Sequence, residues 1–146
     1  MTIIACIDNR NGIAFNHRRL SSDKAVTEKI LKLTTGMTLR ITPYSTRIFE
    51  QVFSTRPIAK ELFPLSSADH GDAIFIDADF PELNELQKAD ISKLILFKWN
   101  RDYPYDVKFD YPNLLPDFSN WTLTETQDFQ GHSHETITME VYERHA

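Results

Sequence analysis

A chain of 146 residues, 41% hydrophobic and 25% charged, has the composition of one globular domain with a real core, here expected to span 1–146. Its net charge of −5 argues against a nucleic-acid partner, because phosphate neutralisation needs a basic face and His17-Arg18-Arg19 is the only basic cluster. No apolar run approaches the roughly 20 residues of a membrane span, no signal peptide is visible, and the single Cys6 fits a reducing cytoplasm.

The first element is Thr2 to Ile7, a continuous apolar run that stops at turn residues. That is the pattern of a strand buried on both faces. Asp8 to Asn11 is turn chemistry, and Gly12 restarts an apolar patch, Ile13 to Phe15. Such a loop is aimed at the end of a sheet, where α/β proteins place their ligands.

Ser21 or Ser22 then reads as a helix N-cap, with Asp23 in the first turn. Val26, Ile30 and Leu33 form its apolar face, and Gly36 ends it. Met37 to Ile41 reads as a strand. Thr42-Pro43 opens a second helix, with Ile48, Phe49, Val52 and Phe53 on its apolar side. Thr55 to Asp72 holds prolines and a glycine and reads as a short helical piece and loop. Ala73 to Ile76 is a buried strand, followed by Asp77-Ala78-Asp79 and a short helix from about Pro81 to Lys88. Ser92 to Trp99 is the next strand. Asn100 to Ser119 reads as an irregular loop. Asn120 to Phe129 and Glu135 to Arg144 alternate and predict an antiparallel hairpin. Strand–helix alternation ending in a hairpin predicts an α/β mixed sheet.

Several stretches together resemble dihydrofolate reductase. The opening strand and its Asp8-to-Asn16 loop resemble the family's first strand and mobile loop. Leu33-Thr34-Thr35-Gly36 is similar to the end of its first helix, and Lys93-Leu94-Ile95-Leu96 to the strand crossing the pterin pocket. Asp106-Val107-Lys108-Phe109 resembles its Asp-x-x-Phe. Trp121, Gly131-His132-Ser133-His134 and Tyr142-Glu143-Arg144 resemble its terminal hairpin. The resemblance implies a mixed, mainly parallel sheet flanked by helices, with a C-terminal antiparallel hairpin.

It also implies a pterin cleft lined by Ile4, Ala5, Cys6, Ile30, Ile76 and Phe97. Leu20-Ser21-Ser22-Asp23 resembles the approach to the family's substrate carboxylate, which makes Asp23 the catalytic candidate. Aligning backwards from Gly36 puts Val26 there instead. The bland alternative for Asp23 is an acid stabilising a helix N-terminus. A functional Asp23 is expected to be partly buried, with its pKa raised by desolvation.

The departures fall on NADPH. The family's Gly-Arg-x-Thr is replaced by Thr42-Pro43-Tyr44-Ser45-Thr46, and hydroxyls do not substitute for a guanidinium. Its glycine pair is replaced by Asp77-Ala78-Asp79, whose side chains block the backbone and whose carboxylates would face phosphate. The adenosine-binding portion is short. What remains for a cofactor is Ile13, Thr42, Ser45 and Thr46. The expectation is therefore a non-catalytic binding protein with no cofactor, holding a protein partner or a small planar ligand in the residual cleft. The alternatives are an active NADPH-dependent reductase with a divergent cofactor site, and an assembly subunit using the aromatic loop from Tyr103 to Phe118. His132-Ser133-His134 is the spacing of two metal ligands on a strand, but it lacks a third; a polar turn is the default reading.

Overall fold

The computed structural model describes residues 1–49, 58–59, 71–78 and 83–145. Val52, Phe53, most of the Thr55-to-Asp72 stretch, Asp79 and the start of the helix expected from Pro81 lie outside the described residues.

The opening apolar run forms β1 (Thr2–Ile7), the middle strand of a seven-stranded sheet. Both its faces are covered, so its residues divide by alternation. Ile3, Ala5 and Ile7 enter one core and Ile4 enters the other. Parallel neighbours are β6 (Asp72–Ile76), pairing Thr2 with Ala73, and β7 (Lys93–Lys98), pairing Thr2 with Lys93. Outward from β6 lie β4 (Thr38–Arg40) and β5 (Ile58–Ala59), both parallel. Outward from β7 lie β10 (Ile137–Arg144) and then β9 (Trp121–Phe129), both antiparallel. The mixed, mainly parallel sheet and its closing hairpin are as expected from the sequence.

Helix α1 (Lys24–Leu33) covers one face with Val26 and Ile30, beside Leu39, Phe49, Phe75 and Phe97. Its cap is Asp23, not Ser21 or Ser22, because only Asp23 reaches back to the Ala25 N–H, at 2.9 Å. The C-cap is Thr34, and Gly36 follows at φ +82°, turning the chain toward β4. The expected second helix divides into a 3-10 turn, Pro43–Ser45, and a short α2 (Thr46–Phe49). The opposite face is covered by the 3-10 segment Leu83–Lys88 and by α3 (Tyr111–Leu114).

Two further expectations need correction. The stretch from Asn100 to Ser119 is not wholly irregular: it contains β8 (Val107–Lys108) and α3. The alternation read in β9 does not mark a half-buried strand, because Thr122 to Asp128 are all exposed. An edge strand beyond the cover of the helices has no buried face for alternation to report. In β10 the alternation does hold, with Ile137, Met139 and Val141 buried.

A second, three-stranded sheet places β2 (Gly12–Phe15) between β8 and β3 (Arg18–Arg19). Phe15 pairs with Arg18, and the two residues between them, Asn16 and His17, have φ of 52° and 63°. Two consecutive positive φ values are the type I′ hairpin turn, and Asn and His tolerate them better than most side chains. This tight turn returns the chain toward the main sheet and delivers Arg19 to the end of β6.

Candidate functional site

Asp23 is where the two ends of the chain meet. Its side chain is fully buried. Oδ1 accepts from the backbone N–H of Ala25 at 2.9 Å and of His132 at 2.8 Å. Oδ2 accepts from the Ser133 N–H at 2.9 Å and lies 3.2 Å from Ser133 Oγ and 2.8 Å from His134 Nδ1. Five donors surround one carboxylate. Burial alone pushes its pKa up. The N–H groups of His132 and Ser133, with His134 and Ala25, outweigh that and hold the carboxyl well below the ordinary range. The shift is therefore opposite to the one expected of a proton-donating acid.

His134 completes the junction. Its ring stacks on Trp99 with centroids 4.6 Å apart and planes 24° from parallel. Nε2 faces Ser21 Oγ at 2.9 Å and Tyr103 Oη at 3.3 Å. His132 and His134 do not act as a strand pair: they sit in the bend between β9 and β10, one exposed and one buried. Among the described residues no group of three His, Cys, Asp or Glu is placed to hold a metal.

Gly131 shows how closely the bend is pressed onto α1. A Cβ there would lie 2.7 Å from Asp23 Oδ2 and 2.8 Å from the His134 carbonyl. Backbone cannot yield as a flexible side chain does. Gly131→Ala is therefore expected to cost about 1–3 kcal/mol in thermal or urea unfolding; an unchanged midpoint would show that the bend is not packed this way.

The second cluster stands at the carboxyl end of β6. Asp77 is not turned toward solvent, as a phosphate-facing carboxylate would be; it is 5% exposed. Oδ2 is 2.7 Å from Arg19 Nη2 and accepts from the Ser45 hydroxyl at 2.5 Å. The Arg19 guanidinium lies over the Tyr44 ring, 4.3 Å from its centroid, and the Arg19 backbone N–H donates to the Tyr44 hydroxyl at 3.0 Å. The Asp77 carboxylate is thus engaged in an internal ion pair at the end of β6. Asp79 lies outside the described residues. Of the remaining cofactor candidates, Thr42 is buried with its hydroxyl unpartnered among the described residues, Ser45 is committed to Asp77, and Thr46 is half-buried.

Between the clusters lies a cleft whose wall includes Cys6, Ile13, Ile30, Ile76, Asp23 and Arg19. Ile4, Ala5 and Phe97 are packed in the two cores. Burial pushes the Cys6 thiol far up, with the Asp77 carboxylate adding to the shift, so it stays protonated. The free space in the cleft is ≈ 20 Å³, about enough for one water molecule. Beside it an open groove of ≈ 520 Å³ is lined by Ser22, Asp23, Lys24, Thr27, Ile48, His132 and Ser133.

Reading the residues singly misses two pairings: His134 with Asp23, separated by 111 positions, and Arg19 with Asp77, separated by 58. The Asn16-His17 dipeptide between an apolar patch and Arg18 is a turn signal that points to the second.

This architecture is a dihydrofolate-reductase-like fold: a mainly parallel sheet with its first strand central and an antiparallel hairpin closing one edge. A dihydrofolate reductase of Enterococcus faecalis, solved with NADP(H) and RAB-propyl, superimposes with a TM-score of 0.66 at 12% identity, covering 99% of this chain and 96% of that one. No protein-family model and no curated protein matches the sequence. Identity this low carries the fold and leaves function to the site.

Proposed function

We propose that this chain uses a dihydrofolate-reductase-like fold to bind, and does not catalyse NADPH-dependent reduction. The observation that carries this reading is the Arg19–Asp77 pair, 2.7 Å apart at the carboxyl end of β6. Ligands of open α/β sheets sit beyond the carboxyl ends of the strands. Here that position is taken by a guanidinium, a carboxylate and Ser45. An incoming dinucleotide has to break a charge-assisted contact and leave Asp77 buried without its partner, a large cost.

The substrate side supports the same reading. Two carboxylate oxygens offer about four lone-pair sites, and five donors already surround Asp23. No acceptor capacity is left for a pterin. The role of Asp23 is to fasten the hairpin bend to the start of α1. Binding then falls to the groove, whose ≈ 520 Å³ lies in the usual range for small-ligand sites, about 300–1,000 Å³. Lys24, Thr27, His132 and Ser133 would meet polar groups of a small ligand or a partner segment, and Ile48 an apolar one.

NADPH titration at low salt, followed by cofactor fluorescence, tests this directly. We expect no saturable binding up to millimolar cofactor. Saturation in the micromolar range would overturn the reading and bring the divergent reductase forward.

A further inference from the structure

Three side chains beside the groove form a chain of contacts that binding alone does not use. Asp23 Oδ2 meets His134 Nδ1 at 2.8 Å, and His134 Nε2 meets Ser21 Oγ at 2.9 Å. An ionised Asp23 assigns the ring proton to Nδ1, which leaves the Nε2 lone pair facing the Ser21 hydroxyl. The Tyr103 hydroxyl approaches the same nitrogen at 3.3 Å, a weaker competitor at that length.

Three features separate this chain from a casual surface contact. The acid is buried and fixed by the backbone N–H groups of His132, Ser133 and Ala25, so it orients the ring without itself moving. The imidazole plane is fixed by its stacking on Trp99. Ser21 is half-buried and lines the cleft, while its neighbour Ser22 lines both cleft and groove. The hydroxyl is thus half-buried, one residue along the chain from the groove, and its base is buried. An orienting acid, an imidazole base and a hydroxyl in this order can activate a serine on any fold.

We propose that Ser21 is an acyl-accepting nucleophile, with His134 as its general base and Asp23 as the positioning acid, acting on a small ester or thioester presented from the groove. Ser21 Oγ forms a bond to the acyl carbon as its proton passes to His134 Nε2. The carbonyl π pair moves onto oxygen. When the pair returns, the alcohol or thiol leaves and takes the proton from Nε2. Water then repeats the two transfers, releasing the carboxylic acid and restoring the Ser21 hydroxyl. The proposal stands whether or not NADP(H) binds.

The test uses the full chain, an alkyl fluorophosphonate and p-nitrophenyl acetate. We expect one phosphonyl adduct, mapped to Ser21 by peptide mass, and none on Ser21→Ala. Wild-type p-nitrophenolate release is expected to exceed that of Ser21→Ala by about 10²-fold. Ser21→Ala removes only a half-buried hydroxyl, so its melting temperature and circular dichroism report whether the fold is kept. Absence of a Ser21 adduct on folded wild-type protein, or equal release by the two proteins, would overturn the proposal and leave the three residues as a structural clamp.

Discussion

Replacing Asp23 with alanine is expected to destabilise the protein by about 3–5 kcal/mol, roughly 10 °C in melting temperature for a chain of this size. The substitution removes the α1 cap and strips the N–H groups of His132 and Ser133 and the His134 ring of their common acceptor. Asp23→Asn should fall between, since its amide keeps one acceptor oxygen. The effect also carries a pH signature. The folded-state pKa lies below the ordinary value, which is about 3.9 in an unfolded chain. The carboxylate therefore contributes stability that is fully present above about pH 4 and is lost as pH falls toward the folded-state pKa. Urea unfolding between about pH 6 and pH 2 should show this acid limb in the wild type and a flatter one in Asp23→Asn. A proton-donating Asp23, with its pKa raised, gives the opposite slope. An unchanged midpoint for Asp23→Ala would remove the clamp altogether.

The clamp also shows what the sequence could and could not disclose. Elements defined by local pattern were legible: β1 by its continuous apolar run, α1 by Val26 and Ile30, and β10 by Ile137, Met139 and Val141. Leu20-Ser21-Ser22-Asp23 drew attention to Asp23, and His132-Ser133-His134 to the bend between β9 and β10, the two stretches that the structure brings together. What remained hidden was that these two stretches touch. A contact across 111 positions leaves no periodic trace, because the donors are mostly backbone N–H groups, which every residue carries. The exposed β9 misled for a related reason. Alternating side-chain type normally records one buried face, and an edge strand outside the helical layers has none. By sequence Asp77 reads as an acid that would face phosphate. Only the arrival of Arg19, through the turn at Asn16-His17, shows that the acid is internal.

Arg19 and Asp77 give the second large expected effect, and its asymmetry is informative. Their side chains are 22% and 4% exposed. Arg19→Leu leaves a buried carboxylate whose remaining side-chain partner among the described residues is Ser45. It also removes the guanidinium from the face of Tyr44. Breaking a buried pair from the cationic side in this way should cost about 3–5 kcal/mol. Asp77→Ala leaves a guanidinium that is partly solvated and still stacked on Tyr44, so its cost should be smaller, about 1–3 kcal/mol. The double variant should be no less stable than Arg19→Leu, because the uncompensated charge has gone with its partner. A coupling of at least about 1.5 kcal/mol in the double-mutant cycle would identify the pair as one unit. Strict additivity would mean that the two side chains do not depend on each other, and the argument that an ion pair closes the end of β6 would fail. The same double variant tests function: if closure by this pair is what excludes NADP(H), removing both side chains should raise cofactor affinity over wild type. If affinity does not rise with the position cleared, the ion pair does not control cofactor binding.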